Sequence, residues 1–260
     1  MADECNLSKT IAIKKNRLVV YTALFGDYDG LIDPPEKFEG CDFICFTDQK
    51  YLKSNIWDIR LVEECDLPPN MMNRRCKILP HLFLAEYEQS LYIDANVTLL
   101  KSPVVLSQKY LTRFDFVAPK HFARDCAYAE AKECIVLMKD RVRRIKSQMR
   151  RYKDEGLPYN FGLSENNILL RNHLRKNVTE LMEGWWQEMQ RESQRDQLSL
   201  PYMLWKSEMI YSYMDESARG NCAFFISKPH NAFVEVSFAA KLIDKLKFNF
   251  RRLIFIGFRL

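Results

Sequence analysis

Ser90-Leu91-Tyr92-Ile93-Asp94-Ala95-Asn96-Val97-Thr98-Leu99-Leu100 is an apolar, β-prone run interrupted by one carboxylate and one carboxamide. It reads as a buried strand that delivers Asp94 and Asn96 to the edge of a sheet, where oxygen ligands suit a hard divalent cation. Upstream, residues 17–25 read as a first buried strand running into Gly26-Asp27-Tyr28-Asp29-Gly30, residues 41–48 as a second ending in Asp48, and residues 57–62 as a third. Strands that end in Gly/Asp turns put backbone and small side chains at the carboxyl edge of a sheet, where open α/β folds bind ligands. Thr22, Ala23, Phe25, Asp27 and Tyr28 are therefore candidate contacts to a base or ribose, against the alternative of an ordinary tight turn. Asp48 could accept hydrogen bonds from a ribose or an imide, or cap the next turn.

Between the third strand and Asp94, a helix is predicted over about 72–87, with Pro80 awkward inside it. Arg75 and Lys77 fall in its first turns and could neutralise a pyrophosphate at the same edge, or form a solvated basic face. After Asn96, residues 114–119 read as a strand, and Lys120 to Glu130 opens a long helix running to about Tyr152. His121, Arg124 and Glu130 lie near its N-terminus, an end that favours anions. A short strand ends near Leu170, and a helix follows over about 174–193, with Trp185 and Trp186 at core spacing. Asp196 and Gln197 begin the next helix, where an acid commonly serves as N-cap. Residues 223–227 form a late strand leading to Lys228-Pro229-His230.

Length and composition fit one α/β domain. The chain has 260 residues, 47% hydrophobic and 28% charged, enough for a large core without cross-links. The net charge of +5 is mild and its basic residues cluster late, which suits phosphates or a membrane surface; no nucleic-acid motif is present. Eight cysteines without a CxxC pair point to free thiols in a reducing compartment. Residues 1–15 lack a signal-peptide pattern, and no stretch approaches the roughly 20 apolar residues of a spanning helix, so the expected location is cytoplasmic. The sequons at Asn96 and Asn177 are taken as chance matches. The expected organisation is a lead at 1–16, a domain at 17–237 and a basic amphipathic segment at 238–260. That last segment could touch the inner face of a membrane, bind a partner, or pack on the core.

Four pieces together resemble one family: residues 20–29, Asn73-Arg74-Arg75-Cys76-Lys77, Tyr92-Ile93-Asp94-Ala95-Asn96, and Arg195-Asp196-Gln197-Leu198-Ser199-Leu200-Pro201-Tyr202. They resemble the glycosyltransferase-like domain family long catalogued as of unknown function, with bacterial members and plant members linked to cell-wall and mucilage polysaccharides. The resemblance covers roughly residues 18–236 and implies a GT-A fold, a Rossmann-like mixed sheet with a nucleotide-sugar site at the strand edge. It implies a UDP-linked or similar donor and a glycan or lipid-linked hydroxyl acceptor. It also implies Mn²⁺ or Mg²⁺ held by Asp94, Asn96 and His230. In such enzymes the strand-end motif is usually Asp-X-Asp; here Asn96 replaces the second acid, which removes one charge from the ligand set. Lys228 would meet the diphosphate, and Asp196 with Gln197 would lie near the transferred sugar. Asp196 or Glu130 would act as base in an inverting reaction, whereas a retaining one needs no dedicated base. The competing readings are a catalytically inactive sugar- or nucleotide-binding scaffold and a nucleotidyltransferase, for which residues 26–30 make a poor phosphate loop.

Overall fold

Leu18–Leu24 is buried at all seven positions, which is the pattern of a strand covered on both faces by other elements. The computed structural model describes residues 14, 17–26, 30–62 and 66–228. In chain order the elements are β1 (Leu18–Leu24), β2 (Cys41–Thr47), β3 (Asp58–Leu61), α1 (Pro69–Ile78), α2 (Pro80–Phe83), β4 (Gln89–Ile93), β5 (Val97–Leu99) and α3 (Val104–Tyr110). They continue with β6 (Phe116–Pro119), α4 (Ala127–Val136), α5 (Val142–Asp154), β7 (Ile168–Arg171), α6 (Lys176–Arg191), α7 (Asp196–Lys206), β8 (Ser212–Met214) and β9 (Phe225–Ser227).

Seven strands form one sheet in the order β3-β2-β1-β4-β7-β6-β8. β1 to β4 are parallel, β7 runs against both β4 and β6, and β8 is parallel to β6. This is the expected Rossmann-like mixed α/β sheet. Alternation along β1 divides the core between the two faces. Val19, Tyr21 and Ala23 pack with Met72 and Cys76 of α1 and with Val178, Leu181, Met182, Trp185 and Met189 of α6. Leu18, Val20 and Leu24 face the opposite layer, with Leu106 and Tyr110 of α3 and Val97 and Leu99 of β5. A third cluster joins α4, α5 and α7, where the Tyr152 and Tyr202 rings stack with centroids 4.0 Å apart. That cluster fixes the start of α7 beside the sheet edge. Trp185 is core, as its spacing predicts, and its indole N–H donates to Ser199 Oγ at 3.0 Å.

Three predicted elements differ from the structure. The helix expected over 72–87 starts at Pro69 and breaks before Pro80, because the residue before a proline is driven out of the helical region; Leu79 has φ −111° and ψ 55°. The helix expected to reach Tyr152 is two helices, α4 and α5, separated where Met138 takes a positive φ of 51°. Residues 90–100 also divide: β4 belongs to the main sheet, whereas β5 pairs antiparallel with β9. Asp94, Ala95 and Asn96 form the turn between them, closed by Val97 N–H donating to Asp94 O at 2.8 Å. The six described cysteines are free, and burial pushes the Cys45 and Cys134 thiols up to about 12, which keeps them protonated and inert.

His173, just after β7, is fully buried, and its Nε2 donates to Leu84 O at 3.1 Å. Burial lowers its pKa to about 4, so the folded protein holds the ring neutral. The unfolded chain takes up a proton below about pH 6.5, so this group contributes full stability above that pH and loses it as pH falls toward 4. Urea unfolding is expected to show a loss approaching ~1.4 kcal/mol per pH unit across that window from this residue. A His173→Gln protein should lack that part of the slope; identical slopes in the two proteins would refute the assignment.

Candidate functional site

Tyr21 of β1 stands opposite Tyr92 of β4 in parallel register, so Asp94, two residues on, is level with Ala23 at the carboxyl edge of the sheet. A cavity of about 810 Å³ opens there. Its walls come from the ends of β1 and β4, the start and one face of α1, residues 165–167, and the start of α7. Chain exit from β1 requires a left-handed residue: Gly26 has φ +66°, and a Cβ there would lie 3.3 Å from Pro69 Cβ. Asp48 receives the Gly26 N–H at 3.0 and 3.2 Å, and Gln49 Nε2 donates to Gly26 O at 2.7 Å. Asp48 therefore shapes the β1 exit, and it does not line the cavity.

Lys77 is the centre of the site. It sits in the last turn of α1, is 5% exposed, and its Nζ lies 2.8 Å from Asp196 Oδ2 and 3.5 Å from Asp94 Oδ1. Its backbone carbonyl is fixed from below by Tyr21 OH at 2.9 Å and Arg171 Nη2 at 3.0 Å. Arg171 is itself fully buried, with Nη1 on Met182 Sδ at 3.2 Å and Nη2 on Tyr21 OH. Its guanidinium stays charged under these conditions, so a second positive charge lies beneath Lys77. Tyr92 OH donates to Asp94 Oδ1 at 2.9 Å, and burial together with Asp94 pushes the phenol well above its ordinary value. Asp196 begins α7 after the N-cap residue Arg195. Burial alone would raise its pKa, but the charges of Lys77, Arg74 and Arg195 outweigh it and hold the carboxyl well below the usual range.

Five basic side chains (Arg74, Lys77, Lys139, Arg195, Arg219) and three acidic ones (Asp94, Glu165, Asp196) line the cavity. The excess of two positive charges matches the two negative charges of an esterified diphosphate. Two helix starts, Pro69-Asn70 of α1 and Asp196-Gln197 of α7, also face it, and such ends favour anions.

Of the residues expected from sequence, Ala23, Phe25, Lys77, Asp94, Asp196 and Gln197 meet in this cavity. Thr22 is buried in β1 just below it. Arg75 lies on another face of α1, with its guanidinium 5.7 Å from the Phe83 ring centroid, and Arg74 lines the cavity. Glu130 stands apart from the cavity wall and binds Arg124, with His121 Nε2 at 3.7 Å. Asn96 Nδ2 donates to Lys228 O at 2.9 Å and to Ser227 Oγ at 3.4 Å, while Lys228 N–H returns to Asn96 O. The carboxamide thus ties the end of β9 to the Asp94 turn. The Lys228 side chain is exposed. Asp27, Tyr28, His230 and segment 238–260 lie outside the described residues. Sequence reasoning passed over Arg74, Arg195, Arg219, Lys139 and the segment Glu165-Asn166-Asn167.

Among the described residues, no group of three or more His, Cys, Asp or Glu side chains gathers as a metal centre. Asp94 nevertheless fits a hard cation: its hydrogen bonds from the described residues fall on Oδ1, and the side chain is 34% exposed toward the cavity mouth. No helix among the described residues is long and apolar enough to cross a membrane.

A family model described as TOD1/MUCI70, glycosyltransferase-like domain, matches residues 3–230. No curated protein matches the chain.

Proposed function

Since the chain belongs to the TOD1/MUCI70 glycosyltransferase-like domain family, we propose that it moves a sugar from a nucleoside-diphosphate donor, UDP-linked, to a hydroxyl of a glycan or lipid-linked acceptor in polysaccharide or glycan synthesis. The observation that carries this reading is Lys77, buried between Asp94 and Asp196 in a cavity with two surplus positive charges at the carboxyl edge of β1 and β4.

The chemistry follows from charge. As the bond from the anomeric carbon to the phosphate oxygen breaks, negative charge grows on the departing diphosphate, and Lys77, Arg74 and Arg195 stabilise it. Asp196 is held ionised by the same cations, which makes it a weak base and a strong anchor for the Lys77 ammonium. The departing phosphate oxygen takes the acceptor proton as the hydroxyl oxygen bonds to the anomeric carbon. Mn²⁺ or Mg²⁺ would be held by Asp94 with Asn96 and His230, and would supply Lewis-acid stabilisation of the same diphosphate. Lys228 would add a further cation at the rim. The basic segment 238–260 would bring the domain to the inner, cytoplasmic face of a membrane.

Incubation with a panel of UDP- and GDP-sugars plus Mn²⁺ tests the reading. One donor is expected to be hydrolysed slowly without acceptor, and EDTA is expected to lower that rate until Mn²⁺ is restored. Binding of a donor without turnover, with or without acceptor, would identify an inactive sugar-nucleotide scaffold. Absence of both binding and turnover across the panel would overturn the reading.

A further inference from the structure

Glu165, Asn166 and Asn167 form one wall of the cavity, and each carries a buried polar atom with no hydrogen-bond partner: Glu165 Oε1, Asn166 Nδ2 and Asn167 Oδ1. Three consecutive residues in that state are unusual, because each such atom forfeits its hydration without return. The segment is held rigidly all the same. Glu165 N–H donates to Pro119 O at 2.8 Å, and Asp94 N–H donates to Asn167 O at 2.9 Å. Ser164 Oγ binds Asn166 Oδ1 at 2.7 Å, which leaves the amide nitrogen of Asn166 as its unused group. Glu165 Oε2 pairs with Arg219 Nε at 3.3 Å, on the side of the exposed Arg219. All three residues line the cavity, so its contents are the neighbouring source of the partners that these atoms lack in the protein.

The chemistry of the three atoms selects those contents. An ionised carboxylate oxygen and a carboxamide oxygen require donors, whereas the carboxamide nitrogen requires an acceptor. Phosphate oxygens only accept, and the Glu165 charge repels them. A sugar hydroxyl both donates and accepts, so the hydroxyls of one ring supply both kinds of partner that these atoms require. The backbone bond from Asp94 to Asn167 places this wall directly beside the proposed diphosphate anchor, where the sugar attached to that diphosphate would project.

We propose that Glu165, Asn166 and Asn167 recognise the hydroxyls of the transferred sugar and set which sugar the cavity accepts, an inference that rests on the nucleotide-sugar reading above. The test compares calorimetric affinities for free nucleotides and their sugar conjugates: UDP against UDP-glucose and UDP-galactose, and GDP against GDP-mannose. With the pair that the wild-type protein binds best, Glu165→Gln is expected to weaken the conjugate by about tenfold or more, the value of one lost hydrogen bond to a charged group, while free nucleotide stays within about twofold. Asn167→Ala, at a half-buried position, gives the same comparison if Glu165→Gln does not fold by circular dichroism. An equal fall for nucleotide and conjugate, or no fall for either, overturns this assignment and leaves the nucleotide-sugar reading standing. A wild-type protein that binds none of these compounds overturns both.

Discussion

Lys77→Gln is expected to lower donor turnover by ~10²–10³-fold, the usual effect of removing one preorganised group that stabilises developing charge. Lys77 is the side chain that touches both Asp94 and Asp196, and its carbonyl is held by two buried groups that the substitution leaves in place. Glutamine keeps the reach and a donor but loses the charge, so the fall should appear in kcat for donor hydrolysis more than in KM for a donor with most of its contacts elsewhere. A Lys77→Gln enzyme with turnover within threefold of wild type would remove Lys77 from the mechanism. Lys77→Arg is not a conservative rescue, because a planar fork cannot occupy the same point between the two carboxylates.

Asp196→Ala is expected to destabilise the fold by ~3–5 kcal/mol, because it leaves the Lys77 ammonium buried with only the 3.5 Å contact to Asp94. The Lys77→Met, Asp196→Leu double variant should regain much of that stability by replacing the ion pair with apolar volume, and it should remain inactive. Urea unfolding of the wild type, Lys77→Met, Asp196→Leu and the double variant measures the coupling directly. A cost below ~1 kcal/mol for Asp196→Ala would mean that the pair is effectively solvated. The pH dependence has a fixed sign. Because the Asp196 carboxyl is held below its ordinary value, its contribution is present above the unfolded value near ~3.9 and is lost as acid protonates the folded group. Stability at neutral pH should therefore be insensitive to this residue's titration.

Much of the site's chemistry is written locally in the sequence. The run from Leu91 to Ile93 is apolar and β-prone, so its strand follows from the local sequence, whereas the turn at Asp94 to Asn96 that separates it from β5 does not. Asp196 is recognisable at a helix start and Lys77 as a basic residue ahead of the Asp94 strand. The choice between Arg74 and Arg75 is different in kind. It depends on the rotational phase of α1, which is set by Met72 and Cys76 packing into the core against β1. Glu165, Asn166 and Asn167 read as an undistinguished polar loop because their placement depends on a strand direction. β7 is antiparallel to β4, so the residues before β7 stand at the same edge as the residues after β4.

By itself, then, the sequence determined which segments are buried, where carboxylates and cations lie along the chain, and that the strand ends in Asp94 and Asn96. Period-two burial and helix starts are local properties, carried by neighbours a few residues apart. Tertiary structure alone decided partnership. It gave Asp94 and Asp196 a shared ammonium from α1, and turned the Asn96 amide toward the carbonyl of Lys228, 132 positions along the chain. It also set Glu165 against the same cavity through a reversed strand. Hydrogen bonds and ion pairs act over a few ångströms in space whatever the distance along the chain, so the packing of the sheet and its helices selects which groups meet.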